Sequence, residues 1–219
     1  MECMKQVRVG LYVALAVIVT ATAMLLPSVA RAAGDPVGKV AAIQNDVQTR
    51  RSETGAWAPS VLHQELQALD RIRTGPGSRA AILYSDQTLQ RLNEKSEVEV
   101  QAPDGNKPGV LRVISGTHYF SSRRPKDYGR IETPTVTAAI RGTEFVVEIG
   151  LDGSTTITML EGVVDASNEH GAVTVTAGEQ VHVEPGAAPV KRTVVRPRDA
   201  VAWSLYYPPV LGRADQARL

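Results

Sequence analysis

The chain has 219 residues, 43% of them apolar and 21% charged, with a formal net charge of +1. That balance gives no electrostatic case for nucleic acid or for an anionic membrane surface. Its single cysteine, Cys3, lies at the extreme N-terminus, which excludes a disulfide framework and thiol catalysis in everything that follows.

Lys5 and Arg8 precede an apolar run from Val9 to Leu26, and Pro27 is followed by Ala30-Arg31-Ala32. This reads as a secretory signal peptide over residues 1–32, cut after Ala32. An uncleaved signal-anchor is the alternative, because eighteen helical residues reach about 27 Å, close to a hydrocarbon core of about 30 Å. Cys3 precedes the apolar run and so is not a lipidated residue at the cut. The remaining 187 residues carry 21 basic and 22 acidic side chains and no cysteine. Their stability has to come from a packed core, which a chain of this length supplies as one domain.

From Val37 to Val195 short alternating runs are separated by turn residues. The spacing predicts strands at Gly38–Gln44, Arg71–Thr74, Arg79–Tyr84, Thr88–Leu92, Glu97–Gln101, Val110–Ser115, Thr117–Ser121 and Gly129–Thr133. It continues with Thr135–Ile140, Thr143–Ile149, Ser154–Leu160, Val163–Ser167, Ala172–Thr176, Gln180–Glu184 and Val190–Val195. Turns are expected at Gly75-Pro76-Gly77, Asp104-Gly105, Asp152-Gly153, Asn168–Gly171 and Pro185-Gly186. Within 130–149, Arg141-Gly142 breaks the alternation where the backbone needs φ > 0 or a close approach. Ser60–Leu69 fits a helical turn and an irregular strand equally well.

Arg71-Ile72-Arg73-Thr74-Gly75 followed by Ser78–Ile82 echoes Arg130–Pro134 followed by Val136–Ile140, with Val173–Gly178 as a looser third copy. The irregular spacing fits no standard sequence repeat. It suggests an all-β domain over 33–195, built as a solenoid-like or roll-like stack of short strands, with a two-sheet β-sandwich as the alternative. Over 196–219, Asp199 caps a short helix to about Tyr207, where Pro208-Pro209 stops it, and a polar tail follows. That helix either covers the open end of the β domain or docks a partner.

Chemistry has few footholds. Gly75-Pro76-Gly77-Ser78-Arg79 lacks the spacing and the following helix of a phosphate loop. His63, His118, His170 and His182 form no ligand pair, and no Gly-x-Ser-x-Gly elbow occurs. Glu97 and Glu99, with Asp86 and Glu94 nearby, invite a carboxylate-pair reading. Their shared strand face reads more simply as solvated. No catalytic residue, cofactor or metal is expected. Arg123, Arg124 and Lys126 form one basic cluster, read as an exposed loop and a candidate contact for an acidic partner or an anionic glycan. Trp203, Tyr206 and Tyr207 are the aromatic counterpart in the tail.

Taken in order, Leu69–Ala80, Thr133-Pro134, Arg141-Gly142-Thr143-Glu144-Phe145, Leu160-Glu161-Gly162 and Ala177–Gln180 resemble the FecR-type periplasmic domain family. The resemblance covers roughly Val37–Glu184. It implies a periplasmic β module that makes protein contacts; the namesake proteins relay an iron-uptake signal from an outer-membrane receptor to a sigma factor. Only eight residues precede the apolar run, too few for the cytoplasmic anti-sigma portion of signalling members. The segment Arg196–Pro209 resembles the junction that leads, in larger members, into tetratricopeptide repeats.

The expectation is a non-catalytic binding module for an envelope protein. A regulatory sensor and a polysaccharide- or peptidoglycan-binding module are the alternatives. We assign Thr133, Pro134, Arg141, Gly142, Thr143, Phe145, Leu160, Glu161 and Gly162 to structure, with Gly142 serving the backbone, Phe145 the core, and Arg141 a fixed hydrogen bond.

Overall fold

Alternation decides most of the architecture, because a strand with one buried face must repeat apolar side chains every second residue. In β1 (Gly38–Gln44) Val40 and Ala42 are buried while Lys39 is exposed, and in β5 (Arg71–Thr74) Ile72 and Thr74 point in while Arg73 points out. A computed structural model describes residues 35–101, 110–194 and 196–206. Between β1 and β5 lie β2 (Val47–Arg50), β3 (Trp57–Pro59) and β4 (Glu65–Leu66). These short strands have no alternation long enough to announce them. Ser60–Leu69 is therefore turns around a two-residue strand and not a helix.

Next come β6 (Arg79–Tyr84), β7 (Leu89–Leu92) and β8 (Glu97–Val100). Three predicted strands then merge into β9 (Val110–Glu132), two into β10 (Thr137–Ile149) and two into β11 (Thr155–Asn168). β12 (Gly171–Thr176), β13 (Glu179–Val183) and β14 (Val190–Thr193) follow. A 3-10 helix over Pro197–Tyr206 replaces the helix expected from Asp199. The chain is all-β, as expected, and its sheet is open.

Every strand pairing described is antiparallel. The main path runs β14-β13-β11-β10-β9-β7-β6-β1-β4, and a branch runs β9-β8-β5-β2-β3. β9 is the junction. Its first part pairs with β8 from Leu111 to Ser115, and its middle pairs with β7 from His118 to Ser121. The change of partner falls at Gly116, with φ +82°, where a Cβ would lie 2.2 Å from the Ser96 hydroxyl. A strand carrying a side chain there could not turn so closely past Ser96.

Two cores result. One, around Ile72, Ile82, Leu92 and Val98, lies among β1–β8; the other, around Phe120, Phe145, Ile157 and Met159, lies among β9–β13. Leu111 of β9 packs against both.

Candidate functional site

The Arg141-Gly142-Thr143 and Leu160-Glu161-Gly162 pieces meet where β10 crosses β11. Gly142 pairs with Gly162, and the register then shifts, so that Glu144 pairs with Glu161 and Phe145 with Met159. Each strand carries an extra residue at this point, Thr143 on one side and Leu160 on the other. Such a bulge bends a strand and re-aims its side chains. A Cβ on Gly162 would lie 2.4 Å from the Arg141 carbonyl oxygen, and one on Gly142 would lie 2.4 Å from the Glu161 carbonyl oxygen. Arg141-Gly142 is thus a bulge inside one strand rather than a break between two. Arg141 donates to Asp165 at 2.7 Å on the surface.

Phe145 is fully buried and stacks on Phe120, ring centroids 4.7 Å apart. The corner at Thr133-Pro134 is fastened by hydroxyl groups. Thr133 Oγ1 donates to the Val136 carbonyl at 2.9 Å, and the buried Thr155 hydroxyl donates to Thr133 at 2.9 Å.

The bulge shapes the outer face. Arg91, Tyr119, Val146 and Thr158 form one register row across β7, β9, β10 and β11. Leu160 joins it because the extra residue lets Leu160 and Glu161 lie on the outer side, beyond the inward Met159. Over this row lies the 3-10 helix: Val201 packs with Tyr119 and Val146, while Leu160, Ala200 and Trp203 border them. Arg91 Nη1 donates to the Ser204 carbonyl at 3.2 Å, and the Tyr119 hydroxyl donates to Glu144 at 2.8 Å. Beside the helix opens a cleft of about 510 Å³. Glu144, Leu160 and Glu161 line it from the sheet, and Arg196, Arg198 and Asp199 from the segment.

Residues 70–165 match the family model described as FecR protein. That stretch is similar to the FecR family. Two crystal structures of a candidate anti-sigma factor from Parabacteroides distasonis share its fold, each with a TM-score of 0.53 and 17% identity. Each likeness covers 61% of this chain, and the chain spans 64% of one solved chain and 63% of the other. No curated protein matches the sequence.

The FecR match runs from Asp70, just before β5, to Asp165 in β11, and so includes the crossing, the β9 junction and the outer row. Asp70 is itself a fastening, buried and accepting from Arg51 Nη1 and from the Gln67 backbone N–H, each at 2.9 Å.

Several other polar groups within residues 70–165 are paired within the fold. Glu99 is buried, contrary to the solvated face expected of it, and Arg71 holds its carboxylate at 2.6 Å with Arg112 at 3.4 Å. Burial alone would raise the Glu99 carboxyl; hydrogen bonds from Gln101 and Arg71 and the charges of Arg71 and Arg112 hold it below the usual carboxylate range. His118 is fully buried. Its Nε2 lies 2.8 Å from the Ser115 carbonyl and its Nδ1 lies 3.0 Å from Gln90 Nε2. Gly75-Pro76-Gly77 is a turn, with a polar cleft of about 340 Å³ beside it between Asp46, Arg73, Lys95 and Glu97.

Of the predicted partner residues, only the Trp203 side chain falls among the described residues. Arg123, Arg124 and Lys126 fall inside β9, not in a loop, where Lys126 pairs with Gly142. Their side chains, that of Tyr206, the whole of Tyr207, the Asp104-Gly105 turn, the N-terminal 32 residues and the tail from Gly212 lie outside the described residues. Trp203 is half-buried on the sheet, its Nε1 donating to the Ala200 carbonyl at 3.0 Å. Sequence reasoning missed Tyr119, Val146 and Glu144. Their signal was the outward phase of two strands already legible, but an apolar outward residue means little until its cover is known.

Proposed function

We propose that this chain is a non-catalytic, extracytoplasmic binding module, exported to the periplasm, whose FecR-like domain recognises a segment of an envelope protein. One observation carries the reading. The outer face at Tyr119, Val146 and Leu160 already seats a peptide, the chain's own residues 197–206, beside an acidic-walled cleft. An apolar row with polar groups at its rim is the usual make-up of a peptide-binding face. The two-lobed strand arrangement around β9 is, in this reading, a roll rather than a flat two-sheet sandwich, and it holds that face rigid. The fold shared with a candidate anti-sigma factor favours a regulatory partner, in which binding at this face signals occupancy of a receptor.

The test is a photo-cross-linking residue placed at Glu161, on the cleft, or at Lys39, on an exposed position of β1, in the full chain within intact envelopes. A discrete protein adduct from Glu161 and none from Lys39 is the expected result. Equal labelling at both positions, or none at Glu161, overturns the reading.

A cell-wall reading draws on a different observation. The indole of Trp57 lies 4.1 Å from the Arg73 guanidinium and 5.2 Å from that of Arg50, next to the polar cleft at Asp46 and Glu97. Co-sedimentation of the purified protein with cell-wall sacculi, abolished by Trp57→Ala, would support it.

A further inference from the structure

The segment over Pro197–Tyr206 packs on the outer row as a small cluster separate from the two main cores. Its ten residues are a 3-10 helix, a geometry whose poorer hydrogen bonds rarely sustain more than three or four residues. Among the described residues its apolar cluster has three buried members, Tyr119, Val146 and Val201, whereas the core among β9–β13 has sixteen. At its N-terminal end it stands away from the sheet, leaving the cleft of about 510 Å³ where a packed lid would leave none. Across that cleft the sheet presents carboxylates, Glu144 and Glu161, and the segment presents guanidinium groups, Arg196 and Arg198. The seat thus has a specific chemistry. It offers an apolar notch for one aliphatic side chain, an arginine to meet a backbone carbonyl (Arg91 to Ser204), and an acidic wall for cations upstream.

We propose that residues 197–206 are an internal competitor occupying a peptide-docking site on β9–β11. The true occupant is a partner segment of the same chemistry: two basic residues followed, three to five positions on, by a Val-like aliphatic residue. The partner displaces the segment, so the site is masked until the partner is present at sufficient concentration. This rests on the reading of the chain as a protein-binding module and adds the partner's chemistry and the masking.

The probe is a fluorescent synthetic peptide of residues 196–206 of this chain, titrated by anisotropy into full-length protein. Wild type is compared with Val201→Asp and Val201→Ala, which loosen the internal copy without touching either main core. Binding at least tenfold tighter to Val201→Asp than to wild type is expected, with Val201→Ala between them. Adding Val146→Asp to the opened chain should abolish it, and raising the salt should weaken it because charges steer the contact. Melting curves establish that each variant is folded, and Val201→Ala carries the comparison if Val201→Asp is not. Equal affinity for wild type and opened chains, or binding indifferent to Val146→Asp, overturns the proposal. Failure here with the Glu161 cross-link retained removes the partner's chemistry and the masking but leaves the binding-module reading; loss of both removes that reading as well.

Discussion

His118 shows how one residue commits the fold to a charge state. The Ser115 carbonyl can only accept, so Nε2 carries the proton and donates to it, while Nδ1 accepts from Gln90. The Gln90 oxygen in turn accepts from the Tyr84 hydroxyl at 2.5 Å. A second ring proton would face the Gln90 amide with two donors opposed. Burial pushes the imidazole down to about 4, opposed only in part by the Ser115 hydrogen bond. The unfolded chain takes up its proton near 6.5, so it binds the proton first as the pH falls. The neutral ring therefore costs nothing above about pH 6.5, and stability declines as the pH drops from there to about 4. The loss levels off at about 3 kcal/mol, since each pKa unit is worth about 1.4 kcal/mol. In denaturant melts from pH 7 to pH 4, His118→Gln is expected to remove about that much of the wild-type decline. Parallel curves for the two proteins would show that His118 does not titrate against folding.

At the scale of elements, the crossing of β10 and β11 separates two demands that are often conflated. Gly162 has φ +122° and no room for a Cβ, whereas Gly178 has φ +83° and nothing within 4 Å of the added atom. Gly178→Ala therefore carries only the left-handed backbone penalty, about 1–2 kcal/mol. Gly162→Ala adds a collision with the Arg141 carbonyl and should cost about 3 kcal/mol or more. Gly142→Ala tests close approach alone, because its φ is ordinary. Urea midpoints ranked Gly162→Ala below Gly178→Ala, with Gly142→Ala also well below Gly178→Ala, are the expected outcome. A Gly142→Ala protein as stable as wild type would contradict it.

This crossing also marks where sequence stops being informative. The strands on either side were legible because Val147, Ile149 and Ile157 alternate with outward residues. Whether Arg141-Gly142 ends a strand or bulges within it depends on Gly162, twenty residues away, and no local pattern carries that. The same applies to Glu99, whose buried state is set by Arg71 and Arg112 on neighbouring strands. The outer row escaped notice for a related reason, since its cover is a segment whose own pattern announced a helix but not a seat.

For the whole molecule the decisive strand is β9. The branch through β8 and the path through β7 both end on it, and β10 pairs along it from Gly116 to Glu132. Neither core can keep its wall if the other lets go of β9, and Leu111 packs against both. The echo between Arg71–Ile82 and Arg130–Ile140 suggested similar units, and stacked units can unfold one at a time. A shared strand forbids that here. Ile72→Ala in the first core should cost about 2–5 kcal/mol and Phe145→Ala in the second about 3–5 kcal/mol. At roughly 2–4 °C per kcal/mol for a domain of this size, Phe145→Ala lowers Tm by roughly 6–20 °C. Calorimetry should show one transition in wild type and in both variants, with calorimetric and van't Hoff enthalpies equal. A variant that splits the transition, with one part melting early and the other at the wild-type temperature, would show that β9 joins the two cores without coupling them.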